Sequence, residues 1–302
     1  MAYIAVTGGA TVDVSAQPTR QLRAKESGPG RVSLRFGGAA RSIAHNLRLL
    51  GADVELLTAL GNDEYARALA RSCEALGIGV SHALHTPDMR TSACVSINDE
   101  RGDTALAVTD MAICDRLTPD YFAAELDTLN GAALVVADTN LPAASLAYLA
   151  ERLTVPLFIE PVSAAKAEKL IGLLPRIHTL KPNAFEAELL SGVPVVDRNS
   201  ARRAVRRLID LGVKQVCLSL GKRGFLAAAE DETVWQPAPQ AAVKSTVGAG
   251  DALMAALAWA HMRGENLSRT AALGAAAAAI TIECEELVSP LLSAEAVLRR
   301  AD

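Results

Sequence analysis

The sequence contains few cysteines, and their scattered positions argue against a CxxC motif or a zinc site. The 302 residues include five cysteines, with no CxxC pair and no spacing typical of a zinc site. We therefore expect buried free thiols and a reducing compartment, the cytoplasm. The short apolar run at residues 1–6 lacks a basic leader and a cleavage site, so we expect no signal peptide.

Long apolar runs and a surplus of basic charge are also missing. Residues 271–282 come closest to a membrane span, but they are rich in alanine and end at Glu283, which favours a buried helix. The net charge is −4 and charged residues make up 21% of the chain, so neither nucleic acid nor a membrane is an expected partner. Apolar residues make up 50%, enough for a sizeable core.

Several well-known catalytic motifs are absent. The sequence contains no Walker A loop, no GxGxxG fingerprint, no HExxH pair and no GxSxG elbow. Lys222 follows a glycine, but the upstream glycine and the Ser or Thr of a Walker loop are missing. The five histidines form no triad-like pattern, and we expect structural or solvent-facing roles for them.

What the sequence does contain is a regular alternation of apolar strands and helices. From residue 134 on, we predict strands at 134–137, 157–159, 177–180 and 216–220, and helices at about 142–152, 183–191 and 199–211. This rhythm predicts a parallel sheet with helices on both faces. A short antiparallel addition at 224–236 and an all-helical tail complete a single α/β domain.

The first half of the chain adds less regular segments to this domain. We predict strands at 3–6, 54–60, 91–98 and 103–108, the last two joined by a hairpin loop over residues 98–103. The segments at about 14–36 and 90–109 are antiparallel in character. They could form a small sheet that covers a site.

Small residues and one carboxylate stand at residues 245–251, where a loop becomes an apolar helix. Gly248, Ala249 and Gly250 allow the backbone to approach a ligand, and the free N–H groups of the first helical turn favour an anion such as phosphate. Asp251 would repel phosphate, and it fits best beside a hydroxyl that loses a proton as a phosphoryl group arrives. On these residues alone, a glycine-rich turn with an ordinary first-turn Asp is an equally good interpretation.

Further polar residues follow predicted strands, where ligands bind in doubly wound folds. Asn183 and Glu186 lie three apart in a first helical turn and offer oxygens that suit magnesium, usually through water, although they also resemble a capping box. The turn with Ser219, Gly221 and Gly224 would also serve as an ordinary connection.

Asp13 comes after the first predicted strand. Facing Gly37 and Gly38, its carboxylate could accept hydrogen bonds from a sugar diol, or it could simply be solvated.

Two motifs resemble the signatures of the ribokinase-like (PfkB) carbohydrate and nucleoside kinases. The first comprises Gly37, Gly38, Gly51 and Gly61, and the second is residues 245–251 with their apolar continuation. The resemblance covers essentially the whole chain. It implies a three-layer α/β sandwich with a mostly parallel central sheet, and a small β-lid that often pairs with the lid of a second subunit in a homodimer. It also implies transfer of the γ-phosphate of ATP to a primary sugar hydroxyl.

The resemblance also implies roles for individual residues by motif position. Asp251 matches the catalytic base, and the anion hole corresponds to Gly248, Ala249 and Gly250. Sugar contacts correspond to Asp13, Gly37, Gly38 and Ser42, magnesium and phosphate organisation to Asn183 and Glu186, and the nucleotide turn to Ser219, Gly221 and Gly224.

The sequence departs from the family pattern at two positions. Ser42 stands where the family usually has Asn, and Ser245 replaces the Asp that helps to bind potassium in potassium-activated members, which argues against potassium dependence. Residues 27–30, 109–111, 161–166 and 178–183 most resemble the branch of the family that phosphorylates pseudouridine. The alternatives are a kinase of another nucleoside or sugar, and a non-catalytic ligand-binding homologue. Thr109, Asp110 and Lys166 are candidates for reading the base, or are ordinary loop positions.

Overall fold

The computed structural model describes residues 2–23, 25–99, 104–230 and 232–302. Its strands in chain order are β1 (Tyr3–Thr7), β2 (Thr11–Pro18), β3 (Gly30–Gly37), β4 (Asp53–Leu57), β5 (Ala59–Leu60), β6 (Ile78–Gly79), β7 (Leu84–His85), β8 (Ala93–Asn98), β9 (Thr104–Asp110), β10 (Leu134–Asp138), β11 (Leu157–Glu160), β12 (Thr179–Leu180), β13 (Gln215–Ser219), β14 (Phe225–Ala229) and β15 (Glu232–Gln236).

The α-helices lie between these strands and after the last of them. They are α1 (Ala39–Leu49), α2 (Glu64–Ala75), α3 (Pro119–Ala124), α4 (Leu126–Asn130), α5 (Ala143–Arg152), α6 (Ala164–Ala167), α7 (Ala184–Ser191), α8 (Arg198–Asp210), α9 (Ala249–Met262), α10 (Leu267–Ile282) and α11 (Ala294–Ala301). Within the described ranges, no helix is both long and apolar enough to cross a membrane.

A nine-stranded sheet forms the centre of the protein, in the order β15-β14-β13-β12-β11-β10-β1-β4-β6. All neighbours from β13 to β6 run parallel, whereas β14 and β15 are antiparallel additions at one edge. The predicted parallel sheet and the antiparallel addition at 224–236 are therefore confirmed. Because the strands are parallel, their carboxyl ends lie along one edge.

Two apolar cores lie on opposite faces of this sheet. Alternate residues of β1 divide between them: Ile4 and Val6 join the core formed with α1, α9 and α10, and Ala5 joins the core formed with α5, α7 and α8. This division follows from the two-residue period of a strand. The predicted buried helix near residues 271–282 is confirmed as α10, whose alanines pack against α9.

A separate four-stranded sheet has the order β3-β2-β8-β9, with β8 parallel to β2 and antiparallel to β9. It contains most of the two segments predicted to form a small sheet. Residues 100–103 of the predicted hairpin loop lie outside the described residues. Asp13 follows the first strand, as predicted, and lies within β2. The start of β2 at Thr11 was not predicted, because this strand is only half-buried and lacks a clear apolar alternation.

Other boundaries also differ from the sequence predictions. The strand predicted at 54–60 is two strands separated by Thr58, whose hydroxyl donates a hydrogen bond to the carbonyl of Gly8 (2.8 Å). The second of them, β5, pairs with β7 in a small sheet. The strand predicted at 177–180 is shortened to β12, and β8 begins at Ala93. Helices α3 and α4 were not predicted, because each is too short to show helical periodicity.

Candidate active site

The carboxyl ends of the central strands and the amino-terminal end of α9 surround one polar cavity of about 440 Å³. Most of the residues predicted from sequence to bind sugar, phosphate or magnesium line it. The lining comprises Asp13, Gly38, Ala39, Ser42, Glu160, Val162, Lys181, Asn183, Glu186, Ser219, Gly248, Gly250, Asp251 and Leu287.

The amino-terminal end of α9 forms an anion-binding turn. Gly248 precedes the helix with φ 82°, a left-handed conformation that favours glycine, and a β-carbon there would overlap the carbonyl oxygen of Leu287. The first intrahelical bond runs from the N–H of Ala252 to the Gly248 carbonyl (3.0 Å), so the N–H groups of residues 249–251 are left for a ligand. Residues 252–260 are all buried, which holds this end of the helix at the cavity.

Asp251 lies at this helix end among other charged groups. Burial raises the pKa of its carboxyl well above the usual value, the negative charges of Glu160 and Asp138 raise it further, and the ammonium group of Lys181 opposes them. A carboxylate with a raised pKa is a better proton acceptor than an ordinary Asp once it is ionised. The arrangement therefore suits a general base next to an anion site.

Asn183 and Glu186 form the capping box of α7. The Oδ1 of Asn183 accepts from the N–H groups of Phe185 (2.9 Å) and Glu186 (3.0 Å), while the Glu186 carboxylate accepts from the backbone N–H (2.8 Å) and the side-chain amide (2.8 Å) of Asn183. The capping-box interpretation is confirmed. The pair also lines the cavity, and its role toward magnesium stays a prediction.

The oxygens of this pair suit magnesium, which retains several of its waters. The described residues contain no group of three or more His, Cys, Asp or Glu side chains placed to hold a metal ion. A magnesium ion here would therefore be held mainly by phosphate oxygens and water, with Asn183 and Glu186 as partners of those waters.

A second, largely apolar cavity of about 630 Å³ adjoins the first. Ser219 and Gly250 line both cavities, so the two meet at the amino-terminal end of α9. The predicted nucleotide residues Gly221 and Gly224 line it, as does Ala249. Its apolar lining suits the flat base of a nucleotide, whose phosphates would extend toward Gly250.

On the other side of the polar cavity, Asp13 lies against Gly37. The hydroxyl of Thr11 donates to Oδ1 of Asp13 (2.8 Å), and a β-carbon on Gly37 would overlap the other carboxylate oxygen. The fully buried hydroxyl of Ser42 has no hydrogen-bond partner among the described residues and lines the cavity, so a ligand hydroxyl could satisfy it.

A buried carboxylate that was not predicted from the sequence, Asp138, connects the turn after β1 to α1. Asp138, at the end of β10, accepts hydrogen bonds from the backbone N–H groups of Gly9 (2.9 Å), Ala40 (3.0 Å) and Asn140 (2.8 Å). It thereby fixes the turn after β1 to the first turn of α1. Burial raises the pKa of Asp138, and these three hydrogen bonds oppose that shift.

The three candidates for base reading lie in different places. Lys166 donates a short hydrogen bond to Oδ1 of Asn140, whose side-chain nitrogen would lie 2.8 Å from a β-carbon on Gly9. Thr109 and Asp110 end β9 and are exposed, and Asp110 accepts from the N–H of Ala112 (3.1 Å). As far as the structure describes the chain, none of these three lines the polar cavity.

Asp138, Glu160 and Lys181 are the site residues that sequence reasoning did not single out. Asp138 and Glu160 end β10 and β11, and Lys181 directly follows β12. The signal was available, because a charged residue at the end of an otherwise apolar buried strand is unusual. Strand ends of a parallel sheet converge, so such residues belong together.

Comparison with known proteins agrees with this geometry. The model of the pfkB family carbohydrate kinases matches residues 1–294. Pseudouridine kinase of Escherichia coli (strain K12) is 33% identical over 96% of this chain and 94% of its own length, and the uncharacterized sugar kinase YeiI of the same strain is 33% identical over 98% of this chain and 82% of its own length. A ribokinase of Arabidopsis thaliana, solved with ribose and ATP, shares the fold with a TM-score of 0.88 at 22% identity, over 100% of this chain and 99% of that one.

The chain belongs to the PfkB family of carbohydrate kinases. It is therefore a phosphotransferase with an alcohol group as acceptor, and ATP is the phosphoryl donor of this family. The ribokinase-like fold expected from the two motifs is confirmed.

Proposed function

We propose that this protein transfers the γ-phosphate of ATP to the 5′-hydroxyl of pseudouridine. One observation carries the phosphoryl-transfer chemistry: Asp251 and the free N–H groups of the α9 turn lie where a polar cavity and an apolar cavity meet at Gly250. A hydroxyl in the polar cavity and a nucleotide in the apolar cavity would face each other across that turn.

Different residues of the site have different roles in the proposed reaction. Asp251 orients the acceptor hydroxyl and accepts its proton, while the N–H groups of residues 249–251 stabilise charge on the transferring phosphoryl group. Asn183 and Glu186 would hold magnesium through water, and the ion would neutralise phosphate charge. Ser219, Gly221 and Gly224 would bind the nucleotide beside the apolar cavity.

Pseudouridine is favoured as the acceptor by similarity and by one pair of side chains. The 33% identity to a pseudouridine kinase extends over 96% of the chain. The Lys166–Asn140 pair lies next to the Gly9 turn, outside the lining of the polar cavity, and its donors would meet a base edge that extends beyond that lining. Ser42 and Asp13 line the cavity and offer groups to a ribose. The equal identity to the sugar kinase YeiI makes another sugar or nucleoside the second candidate.

An acceptor panel tests this proposal. Pseudouridine, uridine, adenosine and ribose are each supplied with ATP and magnesium, with and without potassium, and ADP release is followed together with the mass of the product. We expect the highest kcat/KM with pseudouridine, without a potassium requirement. Faster turnover of ribose or adenosine would contradict the assignment of the acceptor. Ligand binding with no ADP release for any acceptor would favour a non-catalytic homologue, against which the intact Asp251 argues.

Lys166→Met gives a second arm of this test, with Lys214→Met as the matched control on an exposed position away from the cavity. If Lys166 reads the base, its variant raises the KM for pseudouridine by roughly tenfold, about the value of one hydrogen bond to a charged group, and leaves the KM for ATP unchanged. Equal effects on both substrates would argue against base reading.

The four-stranded sheet acts as a lid over the polar cavity and as the interface of a homodimer. Two cross-strand rows on it, Leu34–Val14–Val95–Val108 and Val32–Ala16–Ile97–Leu106, form one continuous apolar face. Val108 is 74% and Leu106 is 70% exposed in the single chain. An apolar sheet face of this kind favours burial against a second copy.

A further inference from the structure

We infer that Lys181 is a catalytic residue of the phosphoryl transfer, and that Glu160 positions its ammonium group. Lys181 directly follows β12, and its backbone N–H donates to the carbonyl of Ile159 (3.2 Å). The side chain is buried, and its Nζ lies 2.9 Å from Oε2 of Glu160, which is buried as well. This inference rests on the family's phosphotransferase activity and is independent of which acceptor is used.

The ammonium group lies next to the anion-binding turn. A β-carbon built on Gly250 would be 3.3 Å from Nζ of Lys181, so the ammonium group lies next to Gly250 and a side chain at residue 250 would contact it. Lys181 also lines the polar cavity. A phosphoryl group bound at the N–H groups of the turn would therefore lie close to the positive charge of Lys181.

The charge of the cavity shows why a cation is needed there. Its lining carries four carboxyl groups, those of Asp13, Glu160, Glu186 and Asp251, and among the described lining residues Lys181 is the only basic side chain. Phosphate oxygens brought into this cavity add further negative charge. A fixed ammonium group stabilises that charge without reorganisation during the reaction.

Glu160 is held in place by a strained turn. The backbone N–H of Val162 donates to its carboxylate, and Val162 adopts φ 63°, a left-handed conformation that is rare for a β-branched residue. Such strain is common at functional sites. A buried ion pair contributes little to stability, because the cost of desolvating both charges opposes their attraction. Fixing the position of the ammonium group therefore explains the buried Lys181–Glu160 pair better than stability does.

Four variants separate a catalytic role from a structural one. Lys181→Met removes the cation, Glu160→Gln removes its anchor, the double variant removes both charges so that no buried charge remains unpaired, and Lys214→Met is an exposed control. Thermal unfolding identifies the variants that fold. Steady-state kinetics then use the acceptor that the wild-type chain phosphorylates fastest.

We expect the folded double variant to lose about 10²-fold in kcat with a KM for ATP within about twofold of wild type, which is the loss seen when one stabilising donor is removed. Lys214→Met should retain wild-type kinetics. Glu160→Gln should lie between them, because the ammonium group remains but is no longer fixed.

A binding measurement supplies a readout besides turnover. Calorimetry compares magnesium–ADP alone with magnesium–ADP plus aluminium fluoride, which mimics the transferring phosphoryl group, in the presence of the same acceptor. The double variant should bind magnesium–ADP as wild type does and lose at least tenfold in affinity for the fluoride complex. A double variant that turns over within twofold of wild type, or that weakens both complexes equally, would overturn the inference.

Discussion

Gly248 and Leu287 are in such close contact that a β-carbon on Gly248 would overlap the Leu287 carbonyl oxygen. The contact joins the turn before α9 to the segment after α10. It therefore fixes the position of the N–H groups that we assign to phosphate. A single methyl group at residue 248 tests whether that position matters.

We predict that Gly248→Ala lowers kcat/KM for ATP by at least tenfold. Gly264→Ala is the matched control at the other end of α9, because Gly264 has a similar positive φ (71° against 82°) but nothing within 4 Å of its β-carbon position. Both variants carry a backbone strain of about 1–2 kcal/mol, and only the first displaces the turn. Equal kinetic losses in the two variants would show that strain alone, and not the turn, is responsible.

Asp251→Asn keeps the shape of the side chain and removes the proton acceptor. We predict a fall in kcat of roughly 10²-fold or more, the usual contribution of general base catalysis, with little change in the affinity for magnesium–ADP. Steady-state kinetics and ADP titration measure the two quantities. Near-normal turnover would exclude Asp251 as the base.

The pKa of Asp251 predicts the pH dependence of the reaction. Burial is the larger cause of the raised pKa, and the negative charge of Glu160 is the next. The carboxyl must be ionised to act as a base. As pH falls through the raised pKa, the carboxyl binds a proton and kcat/KM declines, at pH values well above those of an ordinary Asp. Glu160→Gln removes one raising charge, so the acid limb of its pH profile should move to lower pH. An unchanged or upward-shifted limb would contradict this assignment.

Two half-buried histidines predict how stability depends on pH. Burial lowers the pKa of His45 to about 4, with Arg41 contributing, and lowers that of His178 to about 4, with His261 and Lys214 contributing. The unfolded chain binds these protons more tightly, so their contribution is complete above pH 6.5 and is lost as pH falls toward 4.

Each histidine should lower the free energy of unfolding by about 1.4 kcal/mol per pH unit within that window. Urea unfolding at several pH values measures the slope. In His178→Phe, which keeps a ring against Phe158, the slope should be shallower by about that amount. Parallel slopes for the variant and the wild type would exclude His178 as a source of the dependence.

The apolar face of the four-stranded sheet predicts a dimer that charge would disrupt. We expect Leu106→Asp combined with Val108→Asp to give a monomer in sedimentation where the wild-type chain gives a dimer. Val196→Asp is the control, because Val196 is 75% exposed but lies in the loop between α7 and α8. A wild-type chain that sediments as a monomer at working concentration would remove the proposed interface.

Much of the central sheet could be predicted because its strands are buried on both faces and read as short apolar runs. The half-buried β2 and the short α3 and α4 could not, since they carry no complete period of either pattern. At the site, the residues of the α9 turn and of the capping box were predicted because glycine and capping patterns are local. Asp138 stands out locally only as a charge at the end of an apolar strand, and its role depends on Gly9 and Ala40, which lie about 100 residues or more away in the chain.

The α/β class, the family and the helix start that carries Gly248, Gly250 and Asp251 could be read from the sequence, because each strand, helix and motif is recognised from residues close together in the chain. The assembled fold was needed to show that Lys181 lies next to Gly250, that Glu160 pairs with its ammonium group, and that two cavities meet there. The reason is that parallel strands bring their carboxyl ends together only when the sheet is assembled, and local patterns do not encode which strand ends become neighbours.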